Sequence, residues 1–175
     1  MDAPDYFRIF GLEPRLSIDL PDLERLFYQL SREVHPDRFQ RATAAAREKS
    51  LEATTTLNDA YRTLRDSVKR AEYLLKVRGF EPAEPRQAPP DLLEEVFELN
   101  ETLEEARAGA ADARQRLDAA RTRFNGLLAQ ADADLDELAQ SYDSGDTSAL
   151  AGIRRVLDRR RYISNLLAQV ESETA

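Results

Sequence analysis

The chain has 175 residues, 42% of them hydrophobic, with 6 Gly, 8 Pro, one His and no Cys, which is enough for one ordinary domain or two small ones. Without cysteine, disulfides, thiolate zinc sites and cysteine nucleophiles are excluded, and a reducing, cytoplasmic compartment is expected. Residues 1–79 hold 14 Lys+Arg against 13 Asp+Glu, a net of +1, and residues 80–175 hold 11 against 20, a net of −9, so the second half suits a protein partner rather than nucleic acid.

No stretch holds 18 uninterrupted apolar residues and no basic leader precedes an apolar run, so no membrane contact is expected. The abundance of Ala, Leu, Glu and Arg favours helix throughout. The pattern predicts a short first helix over about 5–11, crowded with Tyr6, Phe7, Ile9 and Phe10. A second starts at Pro21, a good first helical position, and runs to Val34. Its apolar residues Leu23, Leu26, Phe27, Leu30 and Val34 share one face, while Glu24, Arg25, Tyr28 and Arg32 lie opposite. A third helix is predicted from Ala42 to Arg65, packing Leu51, Leu57, Ala60, Tyr61 and Leu64. A fourth, Val68 to Arg78, offers Ala71, Tyr73, Leu74 and Leu75 and stops at Gly79.

Residues 79–90 contain four of the eight prolines and read as a semi-rigid linker. Beyond it, a helix beginning near Pro90 carries Leu92, Val96, Leu99, Leu103 and Ala106, spacings that alternate four and three as in a bundle seam. A helix over about 111–142 and another over about 148–170 follow, divided by Asp143-Ser144-Gly145-Asp146, whose last residue suits a helix cap. No strand-length alternation competes. The expectation is an all-α chain: a helical hairpin with flanking short helices (1–79), a Pro-rich linker (80–90) and a C-terminal three-helix bundle (91–175).

The only histidine lies in Arg32-Glu33-Val34-His35-Pro36-Asp37-Arg38-Phe39. A residue before proline is pushed out of helical geometry, so the second helix must end near Val34 and expose His35 and Asp37 on a loop. Read from the residues alone, this is either punctuation, with His35 and Asp37 complementing helix dipoles, or a working surface. A metal site is disfavoured by the single His and absent Cys. A serine-hydrolase arrangement lacks its Gly-flanked elbow.

The same residues carry a resemblance. A short helix, a longer one with basic residues on its exposed side, His-Pro-Asp in the joining loop and then a long helix is similar to a J domain, the module that stimulates ATP hydrolysis by DnaK-type chaperones. Asp5-Tyr6-Phe7-Arg8-Ile9-Phe10-Gly11-Leu12, His35-Pro36-Asp37-Arg38-Phe39, Leu57-Asn58-Asp59-Ala60-Tyr61-Arg62-Thr63-Leu64 and Arg70-Ala71-Glu72-Tyr73-Leu74-Leu75 resemble the HscB family, J-type co-chaperones of iron–sulfur cluster assembly. So does Leu92-Leu93-Glu94-Glu95-Val96-Phe97-Glu98-Leu99-Asn100-Glu101 beyond the linker. The start of the chain, almost directly at the J domain, resembles the shorter bacterial form without a cysteine-rich zinc module.

The resemblance implies a non-enzymatic activator of a DnaK/HscA-type ATPase, with His35, Pro36 and Asp37 as the trigger and Arg25, Arg32, Arg38 and Arg41 as the docking face. It also implies that Leu93, Phe97, Glu98, Glu101 and Tyr162 bind an iron–sulfur scaffold protein of the IscU type, although Glu94 stands where an apolar residue is expected. No cofactor or metal is expected. The Phe97 surface leaves self-association open, so the chain is expected to be a monomer or a weak homo-oligomer. The rival readings are a general J-domain co-chaperone for other clients and a helical adaptor with no chaperone role.

Overall fold

A computed structural model describes residues 5–39, 42–80 and 89–174. Among them every regular element is helical: α1 (Tyr6–Ile9), α2 (Leu20–Val34), α3 (Ala44–Arg65), α4 (Ser67–Val77), α5 (Leu93–Arg107), α6 (Ala113–Asp143) and α7 (Ala149–Thr174), with 3-10 turns at Pro36–Phe39 and Pro90–Leu92. The all-α expectation and its seven helices hold. Most of the proline-rich stretch, residues 81–88, and Arg41 lie outside the described residues. The chain forms two compact units, one of Met1–Phe80 with Tyr142–Gly145, the other of Glu81–Ser141 with Asp146–Ala175.

In the first unit short polar side chains set the helix starts. The Asp5 carboxylate accepts from the Phe7 amide at 3.0 Å, Asp19 from Asp22 at 3.0 Å, and Asp66 from Lys69 at 2.9 Å. Thr43 caps α3, so that helix begins at Ala44, two residues later than its composition suggested. α4 ends in a left-handed Gly79, φ 81°, where the Phe80 amide donates to Leu75 O at 2.9 Å.

α2 and α3 pair antiparallel, because Phe27 stacks on Tyr61 with centroids 4.2 Å apart while Val34 meets Ser50 at the other end. Leu23 on α2 and Leu57, Ala60 and Leu64 on α3 are buried. α1 closes this hairpin through the fully buried Phe7 and joins α4 by the Tyr6–Tyr73 stack, 4.5 Å between centroids. The Tyr6 amide donates to the Tyr73 hydroxyl oxygen at 2.9 Å. Burial raises the Tyr73 pKa, and the Asp5 charge adds to the shift.

Two positions on these helices depart from the apolar pattern. Leu51, expected to pack, is 56% exposed, and its neighbour Ser50 is buried instead. Arg70, on the buried side of α4, is only 8% exposed. Its Nε donates to Leu16 O at 2.8 Å and its Nη1 donates to Leu64 O. A cation is tolerated there because it satisfies two carbonyls that no regular element pairs.

The second unit is a three-helix bundle. Leu92, Leu99 and Leu103 share one cluster with Leu117 and Phe124 of α6 and Ile163, Leu166 and Val170 of α7. The seam predicted for α5 is therefore real, with Val96 and Ala106 half-buried along it. α6 and α7 approach closely at Gly152, where a Cβ would lie 2.9 Å from Leu138 Cδ2. Ion pairs between helices fringe the core: Arg123 with Glu95 at 2.8 Å, Arg160 with Asp132 at 2.6 Å and Arg159 with Asp91 at 2.8 Å.

Ahead of α7, Asp146 Oδ1 accepts from the Ser148 hydroxyl at 2.6 Å and amide at 2.9 Å, and Oδ2 accepts from Ser141 at 3.1 Å. The Ser148 and Ser141 hydrogen bonds hold its carboxyl below the usual value.

Two expectations follow for stability. Arg70→Met leaves the Leu16 and Leu64 carbonyls unpaired in the interior, so urea unfolding followed by circular dichroism should show a loss of about 2–5 kcal/mol. Asp146 has a folded pKa below its unfolded one, so its contribution is present above the ordinary value of 3.8 and is lost as pH falls through the depressed value. Melting curves of Asp146→Ala and the unaltered chain should differ at neutral pH and converge only in acid below that value.

Candidate functional sites

α2 ends where Pro36 requires it to end. His35 takes extended angles, φ −60° and ψ 130°, and Pro36–Phe39 winds into a 3-10 turn rather than an open loop. The Arg38 amide donates to His35 O at 3.0 Å, and the Asp37 amide donates to His35 Nδ1 at 3.2 Å. An imidazole accepting at Nδ1 in its neutral form carries its proton on Nε2. Asp37 Oδ2 lies 3.5 Å from the same nitrogen, and the two side chains are 55% and 74% exposed. The Asp37 amide thus ties the imidazole to the turn, and both side chains face outward.

The arginines frame this turn from α2 and from the turn itself. Arg25 and Arg32 are exposed on α2, and Arg38 is exposed within the turn. Arg25 Nη2 lies 3.1 Å from Asp22 Oδ1, a pair solvated enough to contribute little to stability. Arg38 Nη1 donates to Arg32 O at 3.3 Å, which draws the turn back onto the last helical residues. A shallow depression lined by Arg25, Tyr28, Gln29, Arg32 and Glu33 runs along the helix. Tyr28, 56% exposed, lies between Arg25 and Arg32. The sequence offered a signal for it, since positions 25, 28 and 32 share one helical face.

Along the Pro90–Leu92 turn and α5 the two faces separate sharply. Leu92 is fully buried and Leu99 is 2% exposed, whereas Leu93 is 56% and Phe97 71% exposed. Leu93, Phe97 and Glu101, spaced four apart, make one outward stripe, and Glu98 stands beside it with Nη1 of Arg123 at 3.7 Å. A cleft of about 400 Å³ between α5 and α6 is lined by Glu98, Glu101, Thr102, Arg116 and Arg123 together with Phe124. Tyr162 is half-buried and packs against the bundle core, so its ring offers much less surface than Phe97. The Arg159–Asp91 pair brings α7 against the start of α5, on the approach to Leu93.

Among the described residues no group of three or more His, Cys, Asp or Glu side chains is placed to hold a metal ion. No helix of these residues is long and apolar enough to cross a membrane.

Comparison with known proteins gives concordant similarities. The DnaJ domain family model matches residues 5–73, and the model of the HSCB C-terminal oligomerisation domain matches residues 88–171. A Co-chaperone protein HscB homolog of Neisseria gonorrhoeae is 35% identical over 162 residues, 90% of this chain and 95% of that one. A homolog of the same description from Neisseria meningitidis serogroup C is 41% identical over 106 residues, and this match spans 64% of the relative's length. Of solved structures, chaperone HscB from Vibrio cholerae superposes with a TM-score of 0.69 at 30% identity, covering 97% of this chain and 96% of the other. Human co-chaperone protein HscB superposes with a TM-score of 0.73 at 25% identity, covering 98% and 82%.

Proposed function

The chain belongs to the HscB family of J-domain co-chaperones, and from that premise we propose that it binds an iron–sulfur cluster scaffold protein of the IscU type. It delivers this scaffold to a DnaK/HscA-type chaperone and stimulates that chaperone's ATPase, which promotes cluster transfer to recipient proteins. In this reading residues 1–79 act as the J domain and residues 91–175 as the scaffold-binding domain, joined through 80–90, in the reducing cytoplasm.

The observation that carries the reading is the outward-facing His35–Asp37 pair on a proline-enforced turn, flanked by exposed arginines. Nucleotide and catalytic groups belong to the partner. His35, Pro36 and Asp37 act by contacting the hydrolysis-competent state of the chaperone more favourably than the resting one, which is the only way a bound protein shifts such an equilibrium. Arg25, Arg32, Arg38 and Arg41 supply positive charge that speeds encounter and fixes orientation more than it adds affinity. The second surface is supported by Leu93 and Phe97, large apolar side chains left in water beside Glu98 and Glu101. An exposed aromatic within a polar rim is the usual form of an interface anchor. Tyr162 contributes the exposed part of its ring from α7.

Two experiments test these roles. His35→Gln should keep the helical content and melting of the unaltered chain and abolish stimulation in a steady-state ATPase assay of the chaperone; retained stimulation removes the turn from its role. Replacing Leu93 and Phe97 together by Ala should weaken scaffold binding about tenfold or more in calorimetry, and unchanged affinity removes the α5 patch. A chain that stimulates the ATPase but ignores scaffold is a general J-domain co-chaperone. One that does neither is a helical adaptor.

A further inference from the structure

We propose that Ser50, seconded by Thr54, is a positioning residue for the His35-Pro36-Asp37 turn, acting through the carbonyl of Val34. Ser50 is 4% exposed, and with Arg70 and Thr102 it is one of three buried polar residues among those described. A serine inside a helix ordinarily faces solvent or turns its hydroxyl back to its own i−4 carbonyl. Thr102 does so, donating to Glu98 O at 2.8 Å. The Ser50 hydroxyl instead crosses to α2 and donates to Val34 O at 2.6 Å. Thr54 Oγ1, one turn further along α3, lies 3.3 Å from the same oxygen and 2.8 Å from Ser50 O.

Val34 O is no ordinary acceptor. It belongs to the last residue of α2, whose carbonyls have no partner within the helix, and Pro36 prevents the chain from continuing to supply one. It also shares a rigid peptide plane with the His35 nitrogen. The Ser50 hydroxyl, anchored on α3, therefore fixes the orientation of the plane from which His35 departs, and Thr54, whose single proton goes to Ser50 O at 2.8 Å, braces Ser50 from the next turn. With His35 already confined to extended angles by Pro36, little freedom remains in the direction of its imidazole. The chain of contacts runs from α3 to the Val34–His35 peptide, and from there to the ring and the Asp37 amide that donates to it. The arginine face of α2 is not on this path, so Ser50 governs what the turn does once docked and not how tightly the helix docks.

The catalytic consequence rests on the reading of the turn as ATPase trigger; the geometric one does not. In the full chain, Ser50→Ala and the near-isosteric, poorly donating Ser50→Cys are compared with the unaltered protein. The expected result is a shift of the His35 ring and Asp37 amide resonances in heteronuclear NMR. Maximal ATPase stimulation should fall about fivefold, while the half-saturating concentration changes less than twofold. Thr54→Ala should move the same signals less. A folded Ser50→Cys with unmoved His35 resonances, or with full stimulation, overturns the proposal. If the unaltered protein stimulates no chaperone, the functional reading falls, and the resonances alone decide whether Ser50 positions the turn.

Discussion

The break in helix geometry at His35 is the constraint on which the first unit depends. Proline at position 36 has no amide hydrogen and crowds the residue before it, so α2 stops and its last carbonyls need partners from elsewhere. The molecule supplies them from what comes next in the chain: the Arg38 guanidinium for Arg32 O, and the hydroxyl of Ser50 for Val34 O. Those partners require α3 to fold back alongside α2, which is the pairing that Phe27 and Tyr61 complete at the opposite end. One covalent peculiarity thus produces both the hairpin and its exposed tip.

The bundle meets a related demand by a different route. The turn ahead of α5 buries Leu92 and α5 buries Leu99 and Leu103, and the side chains one position on from two of the seam positions, Leu93 and Phe97, are left facing water. Isolated exposed leucines need no explanation, but two large apolar side chains on adjacent turns form a patch. Moving Phe97 into the seam would require α5 to turn about its axis and surrender Leu92 and Leu99. Core packing therefore holds the patch outward, where the exposed Glu98 and Glu101 give it a charged rim.

Most of the fold could be read from the order of residues, because several helix ends in this chain are written in local chemistry: Pro21 in a first turn, Pro36 and Gly79 at stops, Asp146 ahead of the last helix, and alternating fours and threes on α5. The tip and the α5 patch were legible for the same reason, one from a proline and the other from departure from a heptad seam. What escaped were interactions between residues distant in sequence. Hydrophobic periodicity placed Leu51 inward, yet α3 turns Ser50 inward, since a carbonyl on α2 needs a donor there. Nothing in composition marks Arg70 as interior; its place depends on Leu16 and Leu64 carbonyls, 54 and 6 residues away. Tyr162 lies off its helix's apolar stripe, and only the approach of neighbouring helices half-buries it.

A protein that acts by contact rather than by reaction has to present its groups already arranged, because ordering them on encounter subtracts from the free energy available to shift the partner. Here the arrangement precedes encounter. The turn holds its imidazole against the Asp37 amide, ties its backbone through Arg38 to His35 O, and is braced from α3. The apolar patch stands on a helix whose opposite face is locked in the bundle core. In both places rigidity comes from buried neighbours, and the groups left exposed are those the proposed contacts would use.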